Sequence, residues 1–93
     1  MSITFHIPSP LREFTDGQSD VEIASSPTTL FDALSALWVV YPGLRDRVVT
    51  EQGEIREHIN IFIGNHDIRF TGGLASHISS GSEISIVPAI SGG

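Results

Sequence analysis

Glu83-Ile84-Ser85-Ile86-Val87-Pro88-Ala89-Ile90-Ser91-Gly92-Gly93 is the stretch on which the reading of this chain turns. Its first half has a period of two, with Ile84 and Ile86 facing one way, so Glu83–Pro88 is predicted to be a strand. Pro88 has no N–H to donate, which stops pairing there. The six residues beyond Val87 can reach about 20 Å from a sheet when extended. The last two are glycines, with no Cβ, so a narrow channel in a partner can close around the backbone.

The same period recurs upstream. Ile3, Phe5 and Ile7 alternate with Thr4 and His6 until Pro8 and Pro10 stop the strand. Val21 and Ile23 alternate within Asp20–Ser25, and Asp16-Gly17 marks a turn between, which predicts a hairpin with a loose loop. Ile59, Ile61 and Ile63 alternate with Asn60 and Phe62. Gly64-Asn65 is a two-residue turn that begins with Gly, and His66–Phe70 is expected to pair back. Thr71-Gly72-Gly73 is a further turn, and Leu74–Ser80 is irregular or a short helical turn.

One segment has helical spacing. Leu30, Leu34, Leu37, Trp38 and Tyr41 fall on a single face. Ser26-Pro27 is expected to open this helix, with Thr29 and Asp32 as an alternative capping pair. Pro42-Gly43 is expected to end it with a glycine cap, and Leu44–Thr50 to add another turn. The order is β-β-α-β-β-β. It predicts an α+β, β-grasp architecture: a mixed sheet of four to five strands with one main helix packed on one face. The first and last strands lie parallel. The domain spans 1–87 and an extended tail spans 88–93.

Composition narrows the function. The 93 residues include 40% hydrophobic and 17% charged residues, enough for one modest core. A net charge of −6, with five Arg and no Lys, argues against nucleic acid and anionic membrane as partners. No Cys is present, so thiol catalysis and Cys-zinc sites are excluded. No secretory signal or bilayer-spanning run is visible, so the expected location is cytoplasmic. His58, His66 and His77 lack metal-ligand spacing and read as surface or turn residues, so no metal site is predicted. Trp38 and Tyr41 read as core packing, and Asp67 with Arg69 as a surface ion pair between same-face strand neighbours.

The terminal carboxylate is the group with chemistry to offer. Ionised at neutral pH, it can attack a nucleotide phosphate, and the mixed anhydride formed is a good acyl donor. Phe62 and Val87 fall off the inward phase of neighbouring strands. With Ile90 they form a candidate apolar docking patch for a partner.

The chain as a whole resembles the ubiquitin-related sulfur carriers of bacteria: the small subunit of molybdopterin synthase, the thiazole-pathway carrier and the carrier serving a cysteine synthase. The residues that carry the resemblance are Tyr41-Pro42-Gly43-Leu44-Arg45, Asn60-Ile61-Phe62-Ile63, Asp67-Ile68-Arg69-Phe70, Gly72-Gly73-Leu74 and the ending Ile84–Gly93. The middle and terminal segments look most like the cysteine-synthase and molybdopterin types. Two departures stand out. Gly64-Asn65 replaces the Asn-Gly common in relatives, and Ser80-Gly81-Ser82 replaces a more acidic turn.

The resemblance implies a co-substrate rather than an enzyme, with no bound cofactor. An E1-like adenylyltransferase, using ATP and Mg²⁺, would join the Gly93 carboxylate to AMP. A persulfide from a rhodanese or cysteine desulfurase would displace AMP and leave a thiocarboxylate. A sulfur-accepting synthase would take that sulfur. Gly93 is thus the reacting residue, Gly92 gives steric access, and Ser91 and Ile90 thread the tail. Two rivals stand beside this reading: a covalent modifier joined through Gly93 to lysines of other proteins, and an interaction domain with an inert tail. The missing lysines exclude chains built on this protein's own side chains.

Overall fold

The computed structural model describes residues 2–24 and 28–88. Strand β1 (Ile3–His6) runs antiparallel to β2 (Asp20–Ile23), with Phe5 opposite Val21 and His6 opposite Asp20. The connection is not loose. A 3₁₀ turn over Ser9–Phe14 fills it, Ile7 N–H donates to the Ser19 carbonyl at 2.7 Å, and Arg12 Nε donates to the Ile7 carbonyl at 3.0 Å. Asp16 and Gly17 both have positive φ, as the turn signal implied.

Helix α1 (Leu30–Val40) is capped by Thr29, whose Oγ1 accepts the Asp32 N–H at 3.2 Å. The alternative cap is therefore the one used, and Ser26-Pro27 lies outside the described residues. Leu30, Ala33, Leu34 and Leu37 are buried on the inward face, while Trp38 and Tyr41 pack half-buried against the same core. The helix ends at Tyr41 because the residue before a proline is pushed out of the helical region.

Gly43 does not provide a left-handed cap. Pro42, which has no N–H to lose, takes the first position of a second helix, α2 (Pro42–Val48), and Gly43 lies inside it. This helix is longer than the single turn expected and places Leu44 and Val48, both fully buried, into the core. The Arg47 guanidinium stacks over the Phe14 ring, 4.8 Å from its centroid, and ties α2 to the β1–β2 connection.

Strand β3 (Ile59–Ile63) turns through Gly64-Asn65 into β4 (His66–Asp67). Gly64 has φ +60°, and Asn65 is not positive, which is the II′ geometry that demands glycine first. The predicted return strand His66–Phe70 is cut short. The Asp67 carboxylate accepts the Arg69 N–H at 2.9 Å, and this cap turns Ile68–Phe70 into a 3₁₀ turn that buries Ile68. A second such turn, Gly73–Ala75, leads to β5 (Glu83–Pro88).

The sheet order is β2-β1-β5-β3-β4. β5 is central, parallel to β1 (Phe5 opposite Ile84) and antiparallel to β3 (Ile61 opposite Ile86). This is the β-grasp arrangement, with α1 on one face. Ile3, Phe5, Ile59, Ile61, Ile84 and Ile86 all point to the helix side and are buried. Among the described residues no helix is long and apolar enough to cross a membrane.

Candidate functional site

Period-two geometry gives every strand a second face, and here the helices leave it open. β1 sends out Thr4 and His6, β2 Asp20 and Glu22, β5 Glu83, Ser85 and Val87, and β3 Asn60 and Phe62. Register places them relative to one another: Val87 is opposite Asn60, and Phe62 is opposite Ser85. Phe62 and Val87 therefore occupy diagonal positions on adjacent strands, roughly 7–8 Å apart by strand geometry. Phe62 is half-buried, and Val87 is 41% exposed. The two residues selected from sequence share one surface, as their phase implied.

Pro88 is the last residue of β5, opposite Ile59, so the sheet still holds the position at which the tail was expected to begin. Having no N–H costs little at a strand end. A shallow hollow of about 280 Å³ beside this end is lined by His6, Pro8, Ser85, Val87 and Pro88. Ile90, Ser91, Gly92 and Gly93 lie outside the described residues. A larger hollow, about 460 Å³, opens between β3, the Glu54–Glu57 loop and the Asp67–Leu74 segment; it is lined by Ile55, Ile68 and Leu74 with Arg56 and Arg69. Neither Phe62 nor Val87 lines it.

Among the described residues, the outward charged groups of β1, β2 and β5 are acidic apart from His6. His6 Nδ1 lies 2.8 Å from Asp20 Oδ1, and Nε2 lies 2.7 Å from Glu83 Oε1. Hydrogen bonding to Asp20, and next to Glu83, holds the imidazole above the usual histidine range. On the β4 side, Arg69 grips Asp67 through Nη2 at 2.7 Å and Nε at 3.2 Å. This depresses the carboxyl and raises the guanidinium. That ion pair was expected, but it spans a capped turn rather than a strand. His58, His66 and His77 are exposed. The His6 cluster was missed because its members are 14 and 77 residues apart; the outward phase of all three residues was the available signal.

Comparison with known proteins agrees with this fold. The ThiS family model matches residues 5–93. The sulfur carrier protein CysO of Mycobacterium tuberculosis is 37% identical over 95 residues, covering all of both chains. A crystal structure of the Amycolatopsis orientalis BexX/CysO complex contains a chain that superposes with TM-score 0.87 at 31% identity, covering 98% of this chain and 99% of that one. SAMP1 from Haloferax volcanii, a small archaeal modifier protein, superposes with TM-score 0.82 at 29% identity over the whole of both chains.

Proposed function

The chain belongs to the ThiS family, and from that premise we infer that it is a sulfur carrier protein of the CysO kind, serving cysteine biosynthesis. The observation that carries this reading is the match to CysO, whose aligned span runs the full length of this chain and so reaches Gly92-Gly93. The protein is a co-substrate, and its partners supply the catalysis.

The chemistry follows from the carboxylate. One Gly93 oxygen attacks the α-phosphate of ATP, pyrophosphate leaves, and the acyl adenylate forms on an E1-like enzyme with Mg²⁺. The terminal sulfur of a rhodanese or cysteine desulfurase persulfide attacks the acyl carbon and AMP leaves. A thiol then cleaves the resulting acyl disulfide, is itself oxidised to a disulfide, and releases the thiocarboxylate. A sulfur-accepting synthase consumes it. The fold's part is to present the tail from the central strand. The open face of the sheet, with Phe62 and Val87, gives partners an apolar anchor within an acidic field. That the Amycolatopsis CysO crystallised in complex with BexX supports a carrier that works by docking. We place the protein in the cytoplasm.

Mass analysis tests this. Protein with its native C-terminus, given an E1-like enzyme, ATP, Mg²⁺ and a sulfur donor, is expected to exchange one Gly93 oxygen for sulfur. An unchanged terminus under those conditions refutes the reading. The likeness to a small archaeal modifier favours one alternative, isopeptide attachment of Gly93 to a lysine of another protein, which the same spectra reveal as a branched peptide.

A further inference from the structure

We propose that His6 is a proton-operated latch that clamps the edge strand β2 and the central strand β5 to β1 across the open face of the sheet, closed as imidazolium and open as the neutral ring. The latch goes beyond the carrier reading, and its test needs no partner.

The geometry leaves little choice of protonation state. Carboxylate oxygens only accept, and both ring nitrogens meet one, at 2.8 Å from Asp20 and 2.7 Å from Glu83. Two donors are required, so the ring carries both protons. A neutral imidazole has one N–H and must present a bare lone pair to the other carboxylate at hydrogen-bond distance, which is repulsive.

Among the described residues, β1, β2 and β5 offer no second cation. On β2 the outward groups are Asp20 and Glu22, and on β5 the outward acid is Glu83. His6 is the single residue of β1, β2 and β5 able to carry positive charge. In the connection packed beside it, Arg12 commits Nε to the Ile7 carbonyl, and Glu13 and Asp16 make no hydrogen bond to the ring among the described residues. Losing the proton therefore takes Asp20, Glu22, Glu83 and His6 together from −2 to −3.

Topology decides which side opens. β5 is held between β1 and β3, whereas β2 pairs only with β1 and forms the sheet edge. Asp20 is thus the carboxylate that lets go, and β2 the strand that loosens. The consequence reaches the docking face, because His6 pairs with Ser85, Ser85 pairs with Phe62, and His6 lines the hollow shared with Val87 and Pro88. Proton loss both raises negative charge and frees the edge strand that pairs with β1, whose His6 lines that hollow.

The test is nuclear magnetic resonance on the full chain with a ¹⁵N-labelled His6 ring, titrated from acid to mildly alkaline pH. Both ring nitrogens should show protonated shifts at neutral pH, with a midpoint above 6.5. Asp20→Asn and Glu83→Gln should each lower that midpoint. Amide protection of Asp20–Ile23 should fall above the midpoint by more than the base-catalysed increase seen at Ile59–Ile63, and His6→Gln should abolish that excess. Should His6→Gln fail to fold, Asp20→Asn provides the same comparison. A midpoint at or below 6.5, or β2 protection that tracks β3 throughout, overturns the latch.

Discussion

Val87 and Ile86 are adjacent in sequence and should fail in opposite ways. Ile86 points to the helix side and is 2% exposed, whereas Val87 points to the open face and is 41% exposed. Ile86→Ala removes a buried side chain from a closed core, at a cost of about 2–5 kcal/mol. For a domain of this size that lowers Tm by at least about 8 °C, and at the upper end it abolishes folding. Val87→Ser leaves the core intact. Fully burying a valine side chain is worth about 1.5–3 kcal/mol, so covering the 41% that is still exposed is worth about 0.6–1.2 kcal/mol. Its loss should weaken partner docking roughly three- to eightfold. Both variants can be followed by thermal denaturation, and Val87→Ser by titration calorimetry against the cognate adenylating enzyme at 25 °C. A Val87→Ser protein destabilised as severely as Ile86→Ala would refute the assignment of faces. Unchanged affinity in a folded Val87→Ser protein would refute the docking surface.

Four further outcomes follow from particular contacts. Thr29→Ala removes the oxygen that caps α1 and should cost about 0.5–2 kcal/mol in chemical denaturation. Gly64→Val forces a branched residue to φ +60°, at about 1–2 kcal/mol or more, and should lower Tm without altering the sulfur chemistry of Gly93. Because partners raise the His6 value, its contribution to stability is complete below the unfolded value of 6.5 and is lost as pH rises through the higher folded value; urea midpoints of wild type and His6→Gln should therefore converge on the alkaline side. Deleting Gly92-Gly93 should leave the unfolding free energy within about 0.5 kcal/mol of wild type and abolish sulfur loading, as read by denaturation and mass spectrometry.

How far the sequence could be read depended on how local the cause was. Ile84 and Ile86, like Ile3 and Phe5, announce their face by alternation, and burial follows that alternation residue for residue. The helix face was equally legible because Leu30, Leu34 and Leu37 obey one period. Boundaries were less so. Thr29 and Ser26 offer the same capping chemistry, and periodicity alone does not choose between them. Pro42 both terminates one helix and suits the first turn of the next, so Pro42-Gly43 reads as an ending when it is also a beginning. In His66–Phe70 the strand gives way because a single carboxylate, Asp67, caps the backbone two residues on, a competition that hydrophobic pattern does not register.

The site divides along the same line. Phe62 and Val87 were legible because their outward phase is local, and adjacency came from the fold implied by the strand order. His6, Asp20 and Glu83 are also outward by phase, but their meeting depends on the register of two different pairings, β1 with β2 and β1 with β5. A one-residue slip in either would turn a partner to the core face. Register here is fixed by the buried set, since Phe5 must meet both Val21 and Ile84 on the helix side. The acids that bracket His6 are thus delivered to it by apolar packing on the opposite face. The same central strand whose inward residues close the core therefore carries, on its outward side, both Glu83, which His6 answers, and the exposed Val87.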